Sequence, residues 1–265
     1  MATGDTLGVI EEAARAGGDV LVKYFHARDP LEVTSKGPAD FVSRADLEAE
    51  AAIRAVLLGA YPDAAYRGEE SEYHQGTSAL EWVVDPLDGT TNFLSGIPHF
   101  AVSIALREAG RTVAGMVYQP LTGDRFAALR GAGASLNGAP IHVSARCRWE
   151  QVVLATGIPH RGSRHHEQFL LQLVAVRDRV GGLRRFGSAA LDLAWVAAGR
   201  FDGFWEQGLS PWDVAAGNLL VEEAGGVVTG LRAQDDPHTG ASVLAASPQM
   251  HEQLTLVFGG AITLG

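Results

Sequence analysis

The sequence predicts a layered α/β (α+β) fold rather than a simple doubly wound sheet. Three observations carry this: two helix-like segments open the chain, a hairpin-forming block fills its middle, and helices alternate with strands in its second half. Thr6 to Phe25 reads as the first helix, with Leu7, Ile10, Ala14, Leu21 and Tyr24 near a 3.6-residue period. Gly17-Gly18 should weaken its middle, and Asp29-Pro30 should end it. The polar stretch from Thr34 to Arg44 leads to a second helix from about Asp46 to Leu58, with Asp46 placed to cap it. Gly59 and Pro62 stop that helix. Trp82-Val83-Val84 is a short apolar strand. His99 to Glu108 and Arg111 to Tyr118 flank Ala109-Gly110 as a hairpin, and Asp124 to Leu129 follows as a third strand. Further on come a strand at Val152 to Ala155, helices at His165 to Arg179 and Ala189 to Ala198, and a strand at Phe201 to Trp205. Pro211 to Ala224 is a helix with proline in its first turn and Gly225-Gly226 after its end. Val243 to Ala246 is a strand and Gln249 to Phe258 a closing helix.

Composition bounds the function. Of 265 residues, 21 are Lys or Arg and 31 are Asp or Glu, a formal charge of −10. That balance excludes a protein built mainly to grip nucleic-acid phosphates. It leaves room for an anionic substrate, because bound metal ions can invert a local field. With 46% hydrophobic and 20% charged residues, the chain is an ordinary globular one. A chain of this length buries roughly three quarters of its unfolded surface, so it needs no staples. The single cysteine, Cys147, rules out an intrachain disulfide and fits a reducing cytoplasm. Met1 to Gly8 has no basic, apolar pattern of a signal peptide, and no apolar run nears the roughly 20 residues of a membrane span. A membrane partner is therefore not expected.

The most informative segment is Trp82-Val83-Val84-Asp85-Pro86-Leu87-Asp88-Gly89-Thr90-Thr91-Asn92-Phe93. An apolar strand delivers Asp85 to a turn, Asp88 follows three residues later, and Gly89-Thr90-Thr91 opens a short helix. Hard divalent cations take carboxylate and carbonyl oxygens. A phosphate takes backbone amides at a helix start. Taken alone, the segment also reads as an Asx-type turn with two local caps. Two more acidic clusters, Gly68-Glu69-Glu70-Ser71 upstream and Pro211-Trp212-Asp213 downstream, join it in a fixed order.

On Gly68-Glu69-Glu70-Ser71, the Asp85 to Phe93 segment, and Trp212-Asp213-Val214-Ala215-Ala216-Gly217 with Glu222-Glu223-Ala224-Gly225-Gly226 after it, the chain resembles the inositol monophosphatase family, part of the magnesium-dependent, lithium-sensitive phosphatases. Supporting matches are Asp40-Phe41-Val42-Ser43-Arg44-Ala45-Asp46 and Gly187-Ser188-Ala189-Ala190-Leu191-Asp192-Leu193. The resemblance implies a layered α-β-α-β-α sandwich: one domain over 1–265, with sub-regions of about 1–145 and 146–265. It implies a homodimer, and two or three Mg²⁺ per active site as cofactor. Glu69, Asp85 and the Leu87 carbonyl resemble ligands of a first ion; Asp85, Asp88 and Asp213 resemble ligands of a second. Asp46 either caps its helix or reaches a third, weaker ion through water. Glu69 and Thr90 are implied to orient or deprotonate an attacking water, with Asp85 bridging the ions. Backbone amides of Gly89, Thr90 and Thr91 are implied to hold the phosphate. Asp88, Ala190, Glu206 and Asp213 are implied to contact the substrate, an inositol monophosphate or similar small polyol or sugar phosphate. Lys36 lies where relatives carry a loop over the site.

Rival readings are weaker. Haloacid dehalogenase-like phosphatases separate two aspartates by one residue, and here Pro86-Leu87 makes two. Relatives acting on 3′-phosphonucleotides or histidinol phosphate commonly carry Gly-Thr-Lys where this chain has Gly89-Thr90-Thr91. Fructose 1,6-bisphosphate and NADP remain alternative substrates. A purely regulatory role would leave the full set of acidic residues unexplained. None of the nine histidines falls in a catalytic string, and His165-His166 reads as a helix start rather than a metal pair.

Overall fold

A computed structural model describes residues 4–27, 33–37, 40–160 and 162–262, with side chains over 5–27, 44–160 and 162–260. In chain order the elements begin with α1 (Gly4–Ala27), β1 (Val33–Gly37), β2 (Asp40–Ser43), α2 (Arg44–Ala60) and β3 (Ala65–Gly68). Next come β4 (Leu80–Asp88), α3 (Thr90–Leu94), β5 (Ala101–Glu108), β6 (Arg111–Gln119), β7 (Asp124–Leu129), β8 (Gly133–Leu136) and β9 (Ala139–Ile141). The remainder is β10 (Val153–Thr156), α4 (His166–Arg177), β11 (Gly182–Arg184), α5 (Ala189–Ala197), β12 (Gly203–Gln207), α6 (Pro211–Glu223), β13 (Val227–Thr229), β14 (Ser242–Ala246) and α7 (Pro248–Ile262).

Strands β3 to β9 form a seven-stranded sheet in sequence order. All its pairs are antiparallel except β3 with β4. A second sheet of five strands has the order β11-β10-β12-β14-β13. Three apolar clusters show how the layers stack. Ile10, Leu21, Ile53 and Leu57 of α1 and α2 pack on Trp82, Val84, Val102 and Ile104, one face of the larger sheet. Val83, Ala105 and Val117, on its other face, pack with Leu193, Leu219 and Leu220 of α5 and α6 and with Phe204 and Val243 of the smaller sheet. Leu154, Trp205 and Leu244 then meet Val176, Met250 and Phe258 of α4 and α7. The order is α-β-α-β-α, as the resemblance implies. Burial on both faces is why Trp82-Val83-Val84 is a continuous apolar run without polar alternation. Helices α5 and α6 are apolar nearly all round because sheets cover both their sides.

Gly17 and Gly18 do not interrupt α1. A Cβ at Gly17 would lie 2.6 Å from Ile53 of α2, and one at Gly18 would lie 2.5 Å from Tyr118 of β6. The pair trades helix propensity for close approach to the neighbouring layer. The hairpin between β5 and β6 turns on Ala109 (φ 49°) and Gly110 (φ 82°), the left-handed pair of a two-residue type I′ loop. Asp46 is not a cap: α2 starts at Arg44, and Asp46 is a buried first-turn residue. Strands β1, β2, β3, β8, β9, β11 and β13 were not expected; each has only three to five residues. The Asp29-Pro30 stop lies outside the described residues, as does the side chain of Lys36 on β1. Cys147 is half-buried, with its thiol free. No helix among the described residues is long and apolar enough to cross a membrane.

Candidate active site

The site starts from strand register. β3 and β4 are parallel, with Gly68 opposite Val84. The next residue on each, Glu69 just past the end of β3 and Asp85 within β4, therefore emerge side by side, and the Glu69 amide donates to the Val84 carbonyl at 3.2 Å. What the sequence suggests is a turn after Asp85 is a bulge inside β4. Asp85 pairs with Ser103 and Asp88 with Ala101, so Pro86 and Leu87 are accommodated without breaking the strand. Pro86 lacks an amide proton, so it loses nothing where ladder pairing lapses. The Leu87 amide donates back to Asp85 Oδ1 at 2.9 Å, which fixes that carboxylate. Gly89 then turns the chain into α3 at φ 99°; a Cβ there would come within 3.1 Å of the His99 carbonyl. Only glycine meets that backbone comfortably.

Asp88 reaches across to α5. Its Oδ2 accepts from Ser188 Oγ at 2.6 Å and from the Ala190 amide at 2.7 Å. Asp213 enters from the first turn of α6, where it accepts from the Ser210 amide at 2.8 Å. The helix-start reading of Asp213 and the site reading thus hold together. Glu69, Asp85, Asp88 and Asp213 all line one cavity of about 320 Å³, with Leu87, Gly89, Thr90, Thr91 and Glu206. Thr90 Oγ1 donates to the Leu87 carbonyl at 3.1 Å, with Asp46 Oδ1 a competing acceptor at 3.4 Å. Asp46 is therefore tied to the site through Thr90.

One expected contact takes another role. The Ala190 amide is spent on Asp88, and the neighbour lining the cavity is Ala189. His99, to which the sequence assigns no role, packs against Phe186 and Trp195, with ring centroids 5.1 and 5.4 Å away. Three supports were missed by sequence reasoning. Glu50 is buried one turn after Asp46, accepts from the Glu70 amide at 2.8 Å, and would be struck by any Cβ on Gly68. Asn92 donates to the carbonyls of His99 (2.8 Å) and Phe186 (2.7 Å), tying α3 to the approach to α5. Asp192 is buried on the cavity wall. The i, i+4 acids Asp46 and Glu50 were the one readable signal, since that spacing puts both on one helix face.

Crowding sets the charge state. Burial, then Glu69, Asp88 and Asp213, hold the Asp85 carboxyl well above the usual carboxylate range. Burial lifts Asp88 to about 6, against the pull of its bonds from Ser188 and Ala190. Burial and then Asp88 raise Asp213 to about 7, and the same two causes raise Glu206 to about 8. Arg185 is the one guanidinium among the described residues lining the cavity. No three acidic or imidazole groups among the described residues close into a ligand cage by themselves. The donor set is instead open to the cavity, and its carboxylates with the Leu87 carbonyl are the oxygen ligands that hard divalent cations take. A 2+ ion there would favour the charged carboxylates, which burial and, around Asp85 and Asp213, neighbouring acids disfavour. The residues fit a metal site.

The sequence pattern of the inositol monophosphatase family matches residues 5–258. The chain belongs to this family. An inositol-1-monophosphatase of Rhizobium meliloti is 46% identical over 255 residues, 96% of each chain. A Vibrio cholerae protein named Nus factor SuhB is 43% identical, covering 92% of this chain and 91% of its own. The crystal structure of the extragenic suppressor protein suhB from Bartonella henselae superposes with a TM-score of 0.93 at 46% identity, over 96% of this chain and 98% of that one. As a member of the inositol monophosphatase family, the chain is a phosphatase, a hydrolase of a metal-dependent class.

Proposed function

We propose that the protein hydrolyses inositol monophosphate, or a similar small polyol or sugar phosphate, to the alcohol and inorganic phosphate with Mg²⁺ bound. The observation that carries this is the meeting of Glu69, Asp85, Asp88 and Asp213, from three distant segments, in one cavity beside Gly89-Thr90-Thr91. In this reading Glu69, Asp85 and the Leu87 carbonyl hold one ion, and Asp85, Asp88 and Asp213 hold a second. Bound Mg²⁺ supplies a water of lowered pKa and positive charge for the phosphate and the leaving oxygen. The Thr90 hydroxyl would orient the attacking water, and the Glu69 carboxylate would accept its proton. The amides of Gly89, Thr90 and Thr91 hold phosphate oxygens. Asp46, linked to Thr90, serves a third ion through water. Glu206, Asp88 and Asp213 receive hydroxyls of the alcohol, and Ala190 acts by steadying Asp88. The chain works as one domain, because the acidic residues come from both sides of residues 140–150. A homodimer, implied by the resemblance, and a cytoplasmic setting, expected from the lone cysteine, complete the reading.

A panel of phosphate esters ranked by kcat/KM with Mg²⁺ present tests it. Inositol monophosphate is expected to lead histidinol phosphate, fructose 1,6-bisphosphate, NADP and a 3′-phosphonucleotide. Preference for one of the others would move the substrate while keeping the chemistry. No hydrolysis of any ester would favour a binding role instead, the kind of role that the Nus factor name of a 43% identical relative suggests.

A further inference from the structure

One carboxylate on the cavity wall has no part in the chemistry above. Asp192, in the first turn of α5, is only 1% exposed and lines the cavity, and its Oδ1 has no hydrogen-bond partner. A buried polar atom left unpaired costs more than an ordinary hydrogen bond returns, so native structures keep very few of them. The usual structural duty of an acid at a helix start is already discharged by others. Ser188 caps α5 by accepting from the Leu191 amide, and the Ala190 amide goes to Asp88. Asp192 therefore stands in the cavity wall with unspent bonding capacity.

Its surroundings define what it can take. Glu206 lines the same cavity and lies so close to Gly157 that any side chain at that position would overlap its carboxylate. Asp88 and Glu206 are the acidic groups acting on Asp192, and Arg185 is the basic one. A second phosphate or carboxylate placed among these acids would be repelled. A neutral hydroxyl would not, since it can donate to a carboxylate or accept from a carboxylic acid.

We propose that Asp192 is a specificity-determining residue that hydrogen-bonds a hydroxyl of the substrate's alcohol part, so that the site selects neutral polyol esters over esters without hydroxyls. The inference rests on the phosphatase reading above. A site built to bond a hydroxyl discriminates strongly against an analogue lacking one, because its own buried group is then left unpaired.

The test is the ratio of kcat/KM for inositol monophosphate to that for p-nitrophenyl phosphate, with Mg²⁺, in the wild type, Asp192→Asn and Asp192→Ala. A ratio does not depend on the fraction of folded enzyme. It is expected to fall about tenfold in Asp192→Ala, the loss expected for one hydrogen bond whose partner is left unpaired. Asp192→Asn, which keeps the shape and part of the bonding capacity, should fall between. A ratio within about twofold of wild type in both variants would overturn the inference. So would the failure of both variants to hydrolyse either ester, which would make Asp192 a residue of the fold. A wild type that hydrolyses neither ester would overturn the phosphatase reading and this inference with it.

Discussion

Asp85→Asn is expected to lower turnover by about a thousandfold, about 4 kcal/mol of transition-state stabilisation, while leaving the protein folded. Asp85 is the acid that the other three carboxylates proposed as ligands all act upon: beyond burial, Glu69, Asp88 and Asp213 each push its carboxyl pKa up. In the proposed arrangement it is the one carboxylate shared by both ions, so replacing it weakens both sites together. The substitution is nearly isosteric, and the asparagine carbonyl can still accept from the Leu87 amide, the bond that shapes the bulge. Folding is therefore retained. Removing a buried like charge should also raise the melting temperature of the metal-free protein above neutral pH. Steady-state kinetics and a thermal melt on one preparation check both parts. Near-normal turnover, or a melting temperature that falls sharply without metal, would count against the assignment.

The second large effect is on stability against pH. Asp88 at about 6, Asp213 at about 7 and Glu206 at about 8 all lie above the values of the unfolded chain, and Asp85 is held well above its own. The folded, metal-free protein thus keeps protons that the unfolded chain releases above about pH 4. When the native state binds more protons than the unfolded one, stability falls as pH rises. The metal-free melting temperature should therefore drop steadily between about pH 4 and about pH 8. Mg²⁺ binds the deprotonated carboxylates, so the stabilisation it adds should grow over the same interval. Thermal melts across that range, with and without Mg²⁺, measure both slopes. A metal-free melting temperature that rises with pH, or a Mg²⁺ increment independent of pH, would contradict the picture.

Much of this was legible in the sequence because local chemistry and global position agree there. Asp85 to Thr91 compresses a strand end, a bulge and a helix start into seven consecutive residues, and each residue type has a local reason to be where it is. Pro211 and Asp213 mark a helix start by ordinary N-terminal preferences and reach the cavity from the same turn. The parts that were not legible depend on distant partners. Residues Ala65–Gly68 carry no strand period, yet their pairing with β4 is what brings Glu69 beside Asp85. Gly17-Gly18 reads as a weak point until Ile53 and Tyr118 are seen against it. Asp192 looks like an ordinary polar break in an apolar helix; only the two sheets enclosing α5 turn it into a buried, unpaired acid on the cavity wall. Ala190 shows the opposite limit, since its motif position suggests a substrate contact and its amide is committed to Asp88.

The central claim is that carboxylates which would repel a phosphate by themselves attract one through bound Mg²⁺. The most direct measurement is phosphate release from inositol monophosphate by protein stripped with chelator, then supplied again with Mg²⁺. Release should be lost on stripping and return on readdition, with Asp213→Asn, which removes charge at the second proposed ion, requiring more Mg²⁺ for any recovery. Undiminished hydrolysis by the stripped protein would contradict the account.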